Sequence, residues 1–339
     1  MSESILVVKI KHNADLTAEL AKAVQIANYA IKNRYSLSSK NVSDIGLPSA
    51  ISNQVLRKYG KNKKCRRINP NKIKLVAPAQ SIKVDGKSIR IIPLKLTLTN
   101  DSKYQIEKVY QIELDKTYAY VAFSKINQEL LDTNRFVGID LNATSHCAVA
   151  SAPNGKVIKL GKQAPHIHKK YKALRSALQR QAKYKKLKQT KGKETRKVKD
   201  INHKISKQIV EFAKQNNCGI KLEKLTGIRN SKKNNKSFRY TLNSWSYYQL
   251  GAMIAYKALL QGISVQYIDP AYTSQNCSRC GHLGKRNGKV FKCANCNHTG
   301  HADVNASFNI GKSNALISAT EKKIGGNGDT DTPMRQRNV

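Results

Sequence analysis

Hydrophobic and polar positions change period several times along the chain. Near the start, "ILVVKIKHN" predicts a first strand. From Asp15 to Arg34 the apolar residues fall at Leu16, Leu20, Ala23, Val24, Ala27 and Ile31, the spacing of one helical face. A second helix is predicted over Ser49–Tyr59. From Lys72 to Ile126 the pattern becomes short alternating segments: "KIKLVAP", "SIKVDGKSIRIIP", "LKLTLTN" and "TYAYVAFSKI". Turn residues separate them, and Asp85-Gly86 is a hairpin signal. The reading is a small antiparallel β-barrel over 1–132 with a helical insert at about 13–62.

The second half, 133–310, has another rhythm. "RFVGIDLN" is an apolar strand ending in an acid, and "SHCAVASAP" and "GKVIKLG" are two more strands around the turn "PNG". A basic helical pair follows over 166–216, then a fourth strand, "CGIKLEKL". "WSYYQLGAMIAYKALLQG" is a helix ending at Gly262, and "ISVQYIDP" is a fifth strand. "DVNASFNIGK" is a last helix. Three strands, helix, strand, helix, strand, helix is the order of an RNase H-like fold. The chain is thus expected to be a multidomain α+β and α/β protein. Residues 311–339, rich in Gly, Asn, Ser and Thr, read as a disordered tail. No internal repeat is visible.

Charge narrows the partners. The 339 residues carry 62 Lys and Arg against 21 Asp and Glu, a formal charge of +41. Such a chain repels itself unless a polyanion is near, which points to nucleic acid. No apolar run of ~20 residues suits a membrane span, and the N-terminus lacks a signal-peptide layout, so a cytoplasmic protein is expected.

Three acids stand out against this background. Asp140 ends "FVGI", Glu223 lies in "GIKLEKL" and Asp303 opens the last helix, at separations of 83 and 80 residues. Singly, Asp140 or Glu223 reads as well in a bland role as in a functional one: a strand-end acid in water, or a partner of nearby lysines, such as Lys221 and Lys224 for Glu223. In an RNase H-like sheet, however, the first and fourth strands are neighbours and the last helix packs beside them. The three carboxylates would then converge, and clustered hard oxygens suit Mg²⁺ or Mn²⁺. Two such ions ~4 Å apart can hydrolyse a phosphodiester. The order Asp, Glu, Asp is that of resolvase-type (RuvC) nucleases. Asp269, before Pro270, is a fourth candidate that reads better as a turn initiator.

Seven cysteines are present. Cys277 with Cys280 and Cys293 with Cys296 form two CxxC knuckles with twelve residues between them. Together they can close a tetrahedral thiolate site for one structural zinc, within a ribbon over 272–300. With four thiolates available, His282, His298 and His301 read as surface or nucleic-acid contacts. Cys147 and Cys218 read as buried small hydrophobes, and Cys65, in a basic stretch, has no visible catalytic partner. From Lys169 to Lys207 there are sixteen Lys or Arg and two acids, Glu194 and Asp200. Leu174, Leu178 and Leu187 suggest one packed face. The other faces, including Lys183, Lys185, Lys186 and Lys188, suit phosphate contacts.

"FVGIDLN", "KLEKLTGIR", "SWSYYQL", "YIDPAYTSQNCSRCG", "FKCANC" and "HADVNASFNI" together resemble the TnpB family, RNA-guided nucleases of insertion sequences related to type V CRISPR effectors. The resemblance is detailed over about 134–310. The first 130 residues resemble the family only in layout, a wedge-type barrel interrupted by a helical recognition unit. The resemblance implies a guide RNA, a target DNA recognised beside a short duplex motif, and double-strand cleavage. It implies catalytic roles with two Mg²⁺ for Asp140, Glu223 and Asp303, and one zinc on the four cysteines. Many relatives carry an acid where this chain has His301. Three other readings stay open: a guided DNA-binding regulator without useful cleavage, a transposase, and a zinc-ribbon RNA-binding scaffold.

Overall fold

The computed structural model describes residues 3–34, 37–225, 241–314 and the backbone of 316–317. They fall into two compact units that divide after Ile126. The first opens with β1 (Glu3–Lys11), followed by helices α1 (Thr17–Lys32) and α2 (Ser49–Gly60). Six strands complete it: β2 (Leu75–Pro78), β3 (Ile82–Asp85), β4 (Ser88–Ile91), β5 (Leu96–Thr99), β6 (Val109–Leu114) and β7 (Tyr118–Ile126). Helix α1 buries Leu20, Ala23 and Ala27 of the expected stripe together with Ile26 and Ala30, while Val24 and Ile31 are only partly buried, so the packed face is rotated slightly from the expected one. The expected barrel is drawn differently. Antiparallel ladders join β1-β7-β6-β2 and, separately, β3-β4-β5, and none among the described residues closes the two sheets. The four-residue strands of the smaller sheet bury Ile89, Ile91 and Leu98 in the same core as Ile112, Leu114 and Phe123. Side-chain burial thus joins the sheets without an edge ladder.

The second unit is built on β8 (Phe136–Leu141), β9 (Ala148–Ser151), β10 (Val157–Leu160), β11 (Gly219–Glu223) and β12 (Val265–Ile268). Its helices are α3 (Gln163–Arg180), α4 (Tyr184–Gln189), α5 (Lys193–Gln215), α6 (Tyr247–Leu260) and α7 (Ala302–Lys312). A small sheet of β13 (Lys285–Asn287), β14 (Val290–Lys292) and β15 (Thr299–His301) precedes α7, and β16 (Leu316–Ile317) follows it. The main sheet runs β10-β9-β8-β11-β12-β16. Strands β8, β11 and β12 are mutually parallel, which requires the helical crossovers that the sequence supplies. Val137, Ile139, Ile220 and Leu222 pack in one core with Ile205, Ile209 and Phe212 of α5 and Leu250 and Ile254 of α6.

Two expectations change here. The basic pair is three helices, broken around Ala182 and Gly192, both at positive φ, and Leu174 is exposed rather than packed. Helix α3 buries only Ala164 and Tyr171, too few apolar anchors to sink its middle. Helix α7 continues past residue 311, and β16 pairs antiparallel with β12. The expected tail therefore does not begin at 311, because the helix runs to Lys312 and Leu316–Ile317 form a strand beside β12. Most of the expected tail, and the "TGIR" of one quoted motif, lie outside the described residues.

Candidate active site and metal centre

Asp140 closes β8, the central strand, and only 8% of it is exposed. Side chains alternate along a strand, so Gly138 and Asp140 share a face. Helix α7 lies against that face. A Cβ on Gly138 would stand 2.0 Å from the Ser307 carbonyl oxygen and 2.2 Å from the Gly311 nitrogen, so only glycine allows this crossing. On β11, Lys221 pairs with Gly138 and donates to the Ser313 carbonyl just beyond α7, at 2.7 Å. Lys221 and, two residues on, Glu223 therefore point to the same side. The β8–β11 ladder ends at Leu222 opposite Ile139, which leaves Glu223 and Asp140 one residue further along their strands. Asp303 is in the first turn of α7 and is fully buried. The fold thus brings all three acids to one end and one face of the sheet.

Their environments differ. Burial pushes the Asp140 carboxyl up to about 7; the Asn142 amide, 2.8 Å from Oδ2, lowers it, the charges of Glu223 and Asp303 raise it, and Arg286 lowers it. Burial also raises Glu223, opposed by the Thr273 hydroxyl 2.5 Å from its Oε1. Asp303 is ion-paired at both oxygens, to Arg286 Nη2 at 2.9 Å and Lys289 Nζ at 2.5 Å. By donor type the trio suits a hard divalent cation. Among the described residues, however, the only group of three or more His, Cys, Asp or Glu side chains already spaced to hold a metal ion is the four cysteines, whose sulfurs lie within 4.8 Å of one another. Asp269 accepts from the Ala271 backbone N–H at 2.8 Å and caps its own turn. Asn142, Thr273, Arg286 and Lys289 were missed by sequence reasoning. In so basic a chain, nothing local separates the last two from other cations.

The cysteine site is compact. Cys277 and Cys296 sulfurs lie 3.6 Å apart, as do those of Cys280 and Cys293. Tetrahedral Zn–S bonds of about 2.3 Å place sulfurs about 3.8 Å apart, so the quartet fits zinc. Each knuckle is closed locally: Cys277 N–H donates to the His282 carbonyl and Cys293 N–H to that of His298. Phe291, fully buried, fills the ribbon's centre. Asn305 of α7 binds the ribbon root twice, accepting from Ser278 N–H and donating to the Asn276 carbonyl. His282 is exposed, while His301 is partly buried with its Nδ1 unpartnered. Cys147 and Cys218 are buried and Cys65 is half-buried.

The cationic helices flank the same unit. Lys183, Lys185, Lys186 and Lys188 are all exposed on or beside α4. Glu194 accepts from His168 at 2.6 Å and from Arg175, tying α3 to α5, while Asp200 pairs with Lys204. Among the described residues no helix is long and apolar enough to cross a membrane.

Similarity to known proteins bears on these features. Residues 247–310 match the family model described as Cas12f1-like, TNB domain. A TnpB-like protein of Methanocaldococcus jannaschii is 31% identical over 250 residues, 68% of this chain and 90% of that protein. The CRISPR-associated endodeoxyribonuclease Cas12f1 of Sulfoacidibacillus thermotolerans is 32% identical over 61% of this chain and 53% of that protein, so the match spans about half of the longer relative. In fold, the chain is similar to the protein in the cryo-EM structure of a Cas12f1–sgRNA–target DNA complex. The TM-score is 0.58 at 17% identity, covering 89% of this chain and 83% of that one.

Proposed function

The chain belongs to the TnpB family, and we propose that it is an RNA-guided, Mg²⁺-dependent DNA endonuclease of an insertion sequence. The observation that carries this reading is the gathering of Asp140, Glu223 and Asp303 on one face of the sheet, where the charges of Glu223 and Asp303 raise the Asp140 carboxyl. The name of one relative, an endodeoxyribonuclease, supports the nuclease class, and the sgRNA and target DNA bound in the Cas12f1 complex of similar fold support the guided mode. Taken in chain order, β8 to β12 lie 3-2-1-4-5 with the second strand antiparallel to its neighbours, which supports an RNase H-like (RuvC) unit over 133–310. Residues 1–132 would be the wedge-type unit with its helical recognition insert.

Asp140, Glu223 and Asp303 would hold two Mg²⁺ ions, which supply an activated water and charge stabilisation for the departing 3′ oxygen. Asp140, at the end of the central strand, is positioned between the other two elements. Asn142 and Thr273 fix the rotamers of Asp140 and Glu223 by the hydrogen bonds described above. The four cysteines would hold one zinc that stiffens the ribbon root, and Asn305 carries that stiffness to the helix bearing Asp303. Exposed lysines at 183, 185, 186 and 188 would contact RNA or heteroduplex phosphates. Guide pairing would read the target, and the protein a short adjacent duplex motif. The product ends would carry 5′ phosphates.

The test loads the chain with the RNA that copurifies with it. Asp140→Ala, Glu223→Ala and Asp303→Ala should each remove nearly all cutting in Mg²⁺ while target binding persists. A variant that cuts at near wild-type rate excludes that residue. One observation favours a second reading, a guided DNA-binding regulator: both oxygens of Asp303 are engaged by cations of the chain itself. Absence of Mg²⁺-dependent cutting by the loaded wild type would select it.

A further inference from the structure

The ion pairs on Asp303 come from one short turn. Arg286 lies on β13, Gly288 follows at positive φ, and Lys289 leads into β14. The Lys289 carbonyl accepts the Ala302 N–H at 2.8 Å, one residue before Asp303. The tip of the ribbon hairpin thus grips the start of α7 by its backbone and the Asp303 carboxylate by two side chains. Asp303 has no solvent access, whereas the Arg286 and Lys289 side chains are 34% and 35% exposed. Arg286 is further fixed by its Nε hydrogen bond to the Gly288 carbonyl at 3.1 Å. Lys289 has a flexible stem and a compact, strongly hydrated head that can return to water.

We propose that Lys289 is a resident counter-ion of the carboxylate centre, occupying Asp303 Oδ2 until a divalent cation displaces it. This rests on Asp303 being a metal ligand, as read above. An ammonium and a divalent cation compete for the same oxygen lone pairs. Metal affinity is therefore reduced by the fraction of chains in which the lysine is seated. The same contact neutralises a buried carboxylate that would otherwise repel Asp140 and Glu223 while no metal is bound. Entry of the ion and release of the hairpin's lysine become one event, linking the ribbon tip to the state of the site.

Mn²⁺ titration of the full chain, followed by the electron paramagnetic resonance of the free ion, tests this. Lys289→Gln should bind Mn²⁺ about tenfold or more tightly than the wild type. Lys289→Arg should stay near wild type, and Asp303→Asn should erase the difference. Zinc content and melting temperature verify that each variant is folded. A second measurement needs no variant: Mg²⁺ should raise acetylation of Lys289 in the wild type several-fold, read by mass spectrometry. Equal Mn²⁺ affinity in folded Lys289→Gln, or unchanged Lys289 labelling, overturns the proposal alone. Absence of Asp140- and Asp303-dependent Mn²⁺ binding in every variant overturns the metal centre and, with it, the proposal.

Discussion

The cysteine quartet and the carboxylate trio meet near the start of α7, and they solve the same electrostatic problem differently. The sulfurs crowd within 4.8 Å of one another. The sulfurs can do this without an ion by dividing charge unequally: hydrogen bonds, that of the His282 backbone first, pull Cys280 down to about 5, while Cys296 is pushed up to about 12. The quartet also comes from two local knuckles, complete within twenty residues of chain. Carboxylates in a buried site have no such freedom. One is pushed up to about 7, and another is neutralised by an arginine and a lysine. The acids arrive from three elements, so their spacing depends on the whole sheet. A soft site can thus be prefolded by its own turns, while a hard site needs substitute counter-charges until its ions arrive.

Substitution at the ribbon should break this contrast most severely. Cys293→Ser should reduce zinc from about one per chain to near none and melt the ribbon, since structural zinc sites contribute of order 10 kcal/mol or more to local folding. Metal analysis beside a thermal scan measures both, and full zinc occupancy would remove Cys293 from the ligand set.

The two aspartates should respond with opposite signs. In the Mg²⁺-free chain, Asp140→Asn should stabilise. The wild-type group has a folded pKa raised from 3.8 to about 7, so its unfolded form releases the proton first and stability is lost as pH rises between these values. The variant's advantage should grow across that window and level off above pH 7 at roughly 4 kcal/mol at most. Asp303→Asn should instead destabilise by about 2 kcal/mol, because Arg286 and Lys289 lose a buried partner but keep partial contact with water. Denaturant titrations at pH 5.5 and 8 separate the two, and a shared sign would refute the contrast.

The smallest effect on stability belongs to the exposed lysines. Neutralising Lys183, Lys185, Lys186 and Lys188 should leave the melting temperature unchanged. RNA affinity should fall, and its log–log salt slope should flatten by about 0.7 to 0.9 per lost phosphate contact. An unchanged slope would return these side chains to plain solvation.

Legibility in the sequence followed locality. The CxxC knuckles are readable because each is a four-residue unit with its own hydrogen bonds. Asp140 and Glu223 are conspicuous because acids end or interrupt runs that must be buried. Asp303 could be placed beside them once the strand order was recognised. The Arg286–Lys289 clasp could not be read, because it depends on where a hairpin tip lands, and 62 cations offer no contrast. Thr273 and Asn142 are likewise ordinary until the fold sets them against carboxylates. Leu174 misled because helical spacing predicts a stripe but not whether anything covers it. The barrel was too regular an expectation, because alternating strands specify faces and leave the closing ladder undetermined.

The tight crossing of α7 over Gly138 has a consequence in time. During synthesis, β8 emerges about 160 residues before the helix that covers it. At ~5–20 residues per second, that interval is roughly 10–30 s. The first unit, up to Ile126, is by then wholly synthesised. Asp140 has no such early completion. Its strand waits with one face bare until the third carboxylate arrives with α7.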